Sequence, residues 1–183
     1  MKIANFLRAA LLATTLLAGL SQTAHADITT HTGNTTGGPT YNRTDEFFSG
    51  LSVIGTDVAY STLTFSVSEF GDYTFLTTAA FDSMIFLYEN SFDPTAPLTN
   101  ALIGNDDALN TRTSGFGATL TDGVTYVFVM TGYENSDFGF HSTTIGGPGL
   151  LQIPAVPEPA TYAMLMMGLA GVVLVKRRKQ AGR

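Results

Sequence analysis

The chain of 183 residues contains no cysteine and no tryptophan. Without thiols it can hold no disulfide, no iron–sulfur cluster and no thiolate zinc site, and no thiol chemistry is open to it. Positive charge is nearly missing from its middle. Between Asp27 and Pro159 there is no lysine, and the only basic residues are Arg43 and Arg112. All 15 acidic residues fall in that span, which therefore carries a net charge of −13. A stretch this acidic excludes direct recognition of nucleic acid or another polyanion, which relies on Lys and Arg; only bridging cations would permit it. The same charge favours solubility in an exported protein. Helical periodicity is missing too: outside the two ends, no window repeats its apolar residues every 3.6 positions.

The ends carry what the middle lacks. Lys2 and Arg8 form a positive start, Ala9 to Leu20 an apolar core, and Ala24-His25-Ala26 a small-x-small cleavage site with Ala24 and Ala26 at its key positions. This is the pattern of a secretory signal peptide over residues 1–26, so the mature chain is expected to begin at Asp27. At the other end, Pro157-Glu158-Pro159 precedes an apolar run from Ala160 to Val175, closed by Lys176, Arg177, Arg178 and Lys179. Pro159 suits the first turn of a helix. The run would be ~24 Å long as a helix at ~1.5 Å per residue. That is shorter than the ~30 Å hydrocarbon core, so the bilayer must thin or the flanking basic residues must snorkel. The positive-inside rule keeps the basic tail, residues 176–183, in the cytoplasm.

A Pro-Glu-Pro turn, a short apolar helix and a basic patch at the C-terminus together resemble the PEP-CTERM sorting signal of Gram-negative bacteria. The resemblance covers residues 157–183. It implies an exported precursor held in the inner membrane through the 160–175 helix until an exosortase processes it near the motif, followed by residence at the cell surface or outside the cell.

The exported span is about 130 residues, one domain's worth and enough for a core without covalent staples. Residues 27–56 read as a flexible polar leader or a ragged first strand. From Val58 the pattern alternates. Leu63 to Thr77, with a turn at Gly71-Asp72, reads as a hairpin. Phe81 to Tyr88 is a strand with Met84, Phe86 and Tyr88 on one face and Ile85 and Leu87 on the other. Asn90 to Asn105 reads as a long loop. Gly115 to Leu120, Val124 to Gly132 and Phe138 to Ile145 are further strands, and Gly146-Gly147-Pro148-Gly149 ends the set. Short strands at regular spacing with Gly and Asp turns predict an all-β, antiparallel sandwich over 57–149. A linker, 150–156, leads to the sorting signal.

The order of these elements, Gly71-Asp72-Tyr73-Thr74-Phe75, then Asp82-Ser83-Met84-Ile85-Phe86-Leu87-Tyr88, then Asn105-Asp106-Asp107, then Leu120 to Tyr126, resembles the bacterial pre-peptidase C-terminal (PPC) domain family. The resemblance implies a jelly-roll-like β-sandwich, and some members of that family bind calcium.

Three kinds of chemistry can be weighed on the residues. Asp82, Asn105, Asp106 and Asp107 are hard oxygen donors of the sort calcium takes in sixes to eights, though their spacing is not that of an EF-hand. The alternative is that they are turn residues bonding their own backbone. A hydrolase needs a base beside its nucleophile. After signal cleavage only His31 and His141 remain, the latter expected on a polar strand face. Gly-x-Ser-x-Gly, His-Glu-x-x-His and a phosphate loop are all missing, so no catalytic residue is assigned. Phe47, Phe48, Phe81, Phe92, Phe116, Phe138 and Tyr133 could form a sugar-stacking platform, but without tryptophan they read more simply as packing residues. The expectation is a non-enzymatic exported protein of the cell surface or extracellular matrix, associated with exopolysaccharide or biofilm. Its rival is a calcium-dependent module that binds carbohydrate or protein. Exosortase, exopolysaccharide and the inner membrane are the expected partners, nucleic acid is not, and calcium is the candidate cofactor.

Overall fold

The computed structural model describes residues 26–154. Residues 157–159, 160–175 and 176–179 of the tail, and the signal peptide up to residue 25, lie outside the described residues. Among the described residues no helix is long and apolar enough to cross a membrane.

Ten strands follow one another: β1 (Asp27–Asn34), β2 (Thr40–Tyr41), β3 (Val58–Val67), β4 (Gly71–Ala79), β5 (Ser83–Glu89), β6 (Ala101–Asn105), β7 (Thr113–Leu120), β8 (Tyr126–Gly132), β9 (Phe140–Gly147) and β10 (Leu151–Gln152). They form two antiparallel sheets. One has four strands in the order β1-β9-β4-β7. The other has six, in the order β10-β3-β8-β5-β6, with β2 added beside β3.

The two sheets face each other across an apolar layer. Its buried members come from both: Leu63, Phe65 and Val67 on β3, Ile85 and Leu87 on β5 and Phe128 on β8 meet Tyr73 and Phe75 on β4, Leu120 on β7 and Ile145 on β9. Phe75 stacks on Phe128 with ring centroids 5.7 Å apart. This is the β-sandwich that the alternation predicts, since residues two apart on a strand share a face.

The six-stranded sheet also buries its other face. Met84, Phe86 and Tyr88 on β5 join Val58, Val127, Val129 and Tyr41 there. The division of β5 into two faces is as the sequence suggests. The cover comes from chain that reads as loop. Phe48 and Phe92 pack onto this face, and the Tyr88 hydroxyl donates to the Pro97 carbonyl at 2.9 Å. Tyr41, Tyr60 and Phe92 meet edge to face, with centroids 5.0–5.4 Å apart.

Four expectations change. Residues 27–34, expected as leader or ragged strand, form a regular eight-residue strand paired along its whole length with β9, from Asp27↔Gly147 to Asn34↔Phe140. Leu63 to Thr77 is not a hairpin: β3 pairs with β8 while β4 pairs with β7 and β9 in the opposite sheet. Apolar alternation looks the same whether the next strand is a neighbour or crosses the core. The Asn90–Asn105 loop contains β6 at its end. Gly146 and Gly147 belong to β9, and the linker holds β10, paired with β3 at Leu151↔Val67. The sandwich therefore runs from Asp27 to Gln152 rather than over 57–149.

Candidate metal centre and the polar end of the sandwich

The antiparallel pairing of β5 with β6 explains how acidic residues distant in sequence meet. Ile85 lies opposite Asn105. The residues just before β5 are thus brought beside those just after β6. As a result Asp82, Asp106 and Asp107 each offer a carboxylate oxygen, and these oxygens lie within 4.8 Å of one another. Three like charges this close are unfavourable in water and more so when partly desolvated. Burial, followed by the charges of Asp107 and Asp82, raises the Asp106 carboxyl to about 6. Burial also raises Asp82, with Asp137 and Asp107 adding to it. Asp106 Oδ1 is itself buried and has no hydrogen-bond partner.

Asn105 does not join this group through its amide. Its Oδ1 accepts the Gly115 N–H at 2.8 Å and its Nδ2 donates to Glu46 Oε1 at 3.3 Å. It ties β6 to β7 and to the segment before Phe47.

Among the described residues the cation whose charge acts on Asp82 and Asp106 is Arg43, only 3% exposed. It does not pair with the carboxylates. Nε and Nη2 donate to the Tyr133 carbonyl at 3.2 and 2.7 Å, and Nη1 donates to the Thr44 carbonyl at 2.9 Å. Its guanidinium also sits 5.1 Å from the centre of the Tyr133 ring. Arg43 lowers the Asp106 carboxyl only as the fourth influence, behind burial and two like charges. The sequence lists Arg43 among two lone arginines; that one of them is buried is the signal that it has a structural task.

Near the same end, the layer between the sheets turns from aromatic to hydroxylic. Ser83 Oγ and Ser114 Oγ are 2.7 Å apart, as are Thr77 and Thr143 at 2.8 Å, all four buried. His141 also faces inward, 5% exposed, rather than lying on a polar face. Ile145 is buried on the same strand, and alternation back from it puts residues 143 and 141 inward as well. His141 Nε2 lies 2.9 Å from Ser61 Oγ, joining the two sheets. Its Nδ1 is buried without a partner. Burial, helped by His31, lowers its pKa to about 4. A hydroxyl–imidazole pair needs a third group to orient the base and a way in for substrate. Among the described residues no acceptor holds this Nδ1, and no carboxylate completes the pair.

Of the seven aromatics considered for sugar stacking, Phe81 is buried, and Phe48, Phe92, Phe116 and Tyr133 pack against the two cores. Phe47 and Phe138 are exposed. The seven do not form one platform.

No curated protein sequence matches the chain. Solved structures similar to it include the pre-peptidase C-terminal domain of a collagenase from Bacillus anthracis, at 15% identity and TM-score 0.41, covering 64% of this chain and 87% of that one. A mitogen from Yersinia pseudotuberculosis matches at 10% identity and TM-score 0.38, with 74% and 93% covered. A periplasmic inhibitor of g-type lysozyme from Aeromonas hydrophila matches at 12% identity and TM-score 0.35, with 73% and 91% covered. Residues 155–179 match the PEP-CTERM protein-sorting motif. The chain thus carries a PEP-CTERM sorting motif at its C-terminus, which implies an exported precursor processed by an exosortase.

Proposed function

We propose that the chain is a non-enzymatic protein of the cell surface or extracellular matrix, associated with exopolysaccharide, whose β-sandwich is tightened by a calcium ion held between Asp82, Asp106 and Asp107. The observation that carries the calcium reading is the convergence of three carboxylates around a buried, unpartnered Asp106 oxygen. Calcium accepts carboxylates, backbone carbonyls and water in adaptable numbers. At this position it would offset the mutual repulsion and fasten the chain before β5 to the chain after β6.

A ligand that binds only the folded form stabilises it by ~2.7 kcal/mol at a hundredfold excess over Kd. For a domain of this size that is roughly 5–10 °C in melting temperature. Millimolar calcium is expected to raise the melting midpoint of residues 27–154, and sodium chloride at matched ionic strength is not. Replacing Asp106→Ala together with Asp107→Ala is expected to remove the difference. An equal response to both salts would reduce the three carboxylates to surface polar groups.

The non-enzymatic reading is supported by the His141 Nδ1, which is buried with no group among the described residues to orient the imidazole toward Ser61. Hydrolysis of a p-nitrophenyl ester by the wild type, lost in Ser61→Ala, would overturn it. A second reading, ligand binding that depends on calcium, is favoured by a cleft of about 380 Å³ in which Asp106 shares the lining with Phe47, Val53 and Tyr133.

A further inference from the structure

Charge is distributed very unevenly over this acidic domain. On the four strands β1, β9, β4 and β7, the positions that alternate with the core point outward. Asp72 is the only charged residue among them. It lies at the start of β4, about 20 Å from Thr78 at ~3.3 Å per residue.

At the Thr78 end the register builds a specific group. Thr32 lies opposite Ser142, and Ser142 lies opposite Thr78, so three hydroxyl residues cross three strands in one row. Asn34 lies opposite Phe140 in the next position. These five residues line a shallow cleft of about 540 Å³. Phe140 is 72% exposed. The Asn34 Oδ1 is held by the Thr36 N–H at 2.9 Å, which leaves its amide N–H groups available as donors. The floor is firm, because His141 points inward beneath it to Ser61.

The chemistry of this cleft selects its occupant. An anion would find no cationic donor and would meet a domain of charge −12. A basic ligand would be drawn to the carboxylates elsewhere. A second copy of the chain would bring two such charges together. An uncharged ligand with an apolar face and many hydroxyls meets none of these penalties. A pyranose ring has that character: its C–H face can lie on an aromatic ring while its hydroxyls exchange bonds with Thr, Ser and Asn. The volume is within the range of small-ligand clefts, about 300–1,000 Å³.

We propose that this cleft binds a sugar unit of a neutral polysaccharide, with Phe140 stacking on the ring and Thr32, Thr78, Ser142 and Asn34 bonding its hydroxyls. This deepens the matrix-association reading and rests on it for its setting. It uses none of the carboxylates proposed for calcium.

The test is affinity electrophoresis of the full chain in a non-ionic, non-glycosidic detergent, with chelator throughout. The gels contain α-glucan, β-glucan, mannan or galactan, and alginate serves as the anionic control. At least one neutral polymer is expected to retard the chain and alginate is not. Phe140→Ala and Ser142→Glu are each expected to weaken retardation at least tenfold, while Phe140→Tyr retains it. An unchanged melting midpoint in the two weakened variants shows that the fold is intact. Retardation by none of the neutral polymers, or equal retardation of Phe140→Ala and wild type, overturns the proposal. So does a concentration-dependent dimer that Ser142→Glu abolishes, which would make the face a self-interface. Because chelator is present, calcium stabilisation can fail while sugar binding holds, and the reverse.

Discussion

The two sheets use the same alternation of residues for different ends. In the six-stranded sheet, β8 is buried at every position and β5 at all but its last. Both of its faces are covered, one by the facing sheet and one by returning chain. In the four-stranded sheet, β1 and β4 alternate between inward and exposed positions. Its outer face carries hydroxyls, glycines and a few isolated apolar side chains. The first sheet is the scaffold and the second is the surface, and continuous apolar strands separate from alternating ones for that reason. In a domain this acidic, an open sheet face almost free of charge is the part with room for a partner.

The largest effect expected from this contrast is on packing. Phe86 on β5 is fully buried, and the chain makes room for its ring at Gly104, where an added Cβ would sit 2.5 Å from Phe86 Cδ1. Phe86→Ala is expected to destabilise by about 3–5 kcal/mol. Leu76→Ala, at a 45% exposed position on the outer face of β4, should change stability by no more than ~0.5 kcal/mol. Urea denaturation of the two variants compares them directly, and similar losses would erase the distinction between the sheets.

A smaller effect is expected at the polar end of the inter-sheet layer. His141 has a pKa lowered to about 4 by burial, against an ordinary value of 6.5. The unfolded chain therefore binds this proton more readily than the folded one. The contribution of neutral His141 is fully present above pH 6.5 and is lost as pH falls toward 4. Allowing for partial solvent screening, the loss is on the order of 1–2 kcal/mol. His141→Gln should flatten that part of the stability profile. An unchanged slope would mean that the imidazole is not the group responsible.

The least effect is expected from Thr30→Val, on an exposed position of β1 opposite Thr144. The hydroxyls of these two residues are 3.5 Å apart at the surface, so the change should stay within ~0.5 kcal/mol by thermal melting. A larger loss would show that the outer hydroxyl rows stabilise the sheet themselves.

The sequence made one contrast legible and hid another. The two faces of β5 are visible in Met84, Phe86 and Tyr88 against Ile85 and Leu87, because a period of two determines the face directly. Which strand lies beside which is not visible in the same way: β3 and β4 look like a hairpin and belong to different sheets. β1 is legible only as one of two alternatives, leader or ragged first strand, because Thr, Gly and Asn weaken its alternation; its pairing with β9 decides for the strand. The gathering of Asp82 with Asp106 and Asp107 could be suspected from residue type, but Asn105 could not be separated from them, since its partner Gly115 N–H is fixed only by tertiary structure. The cleft beside Phe140 depends on the register of three strands, which no single stretch of sequence contains.

The pairing of β1 with β9 has a consequence for export. Asp27 and Gly147 are register partners 120 residues apart, as their numbers show. During secretion the N-terminal strand reaches the far side first, and its partner follows only after nearly the whole domain has passed. Contacts this distant in sequence form slowly, because the intervening chain must be closed before they are rewarded. The four-stranded sheet therefore cannot be completed around a partly translocated chain. Final assembly of that sheet is coupled to the arrival of β9, after which only β10 remains before the sorting motif at residues 155–179.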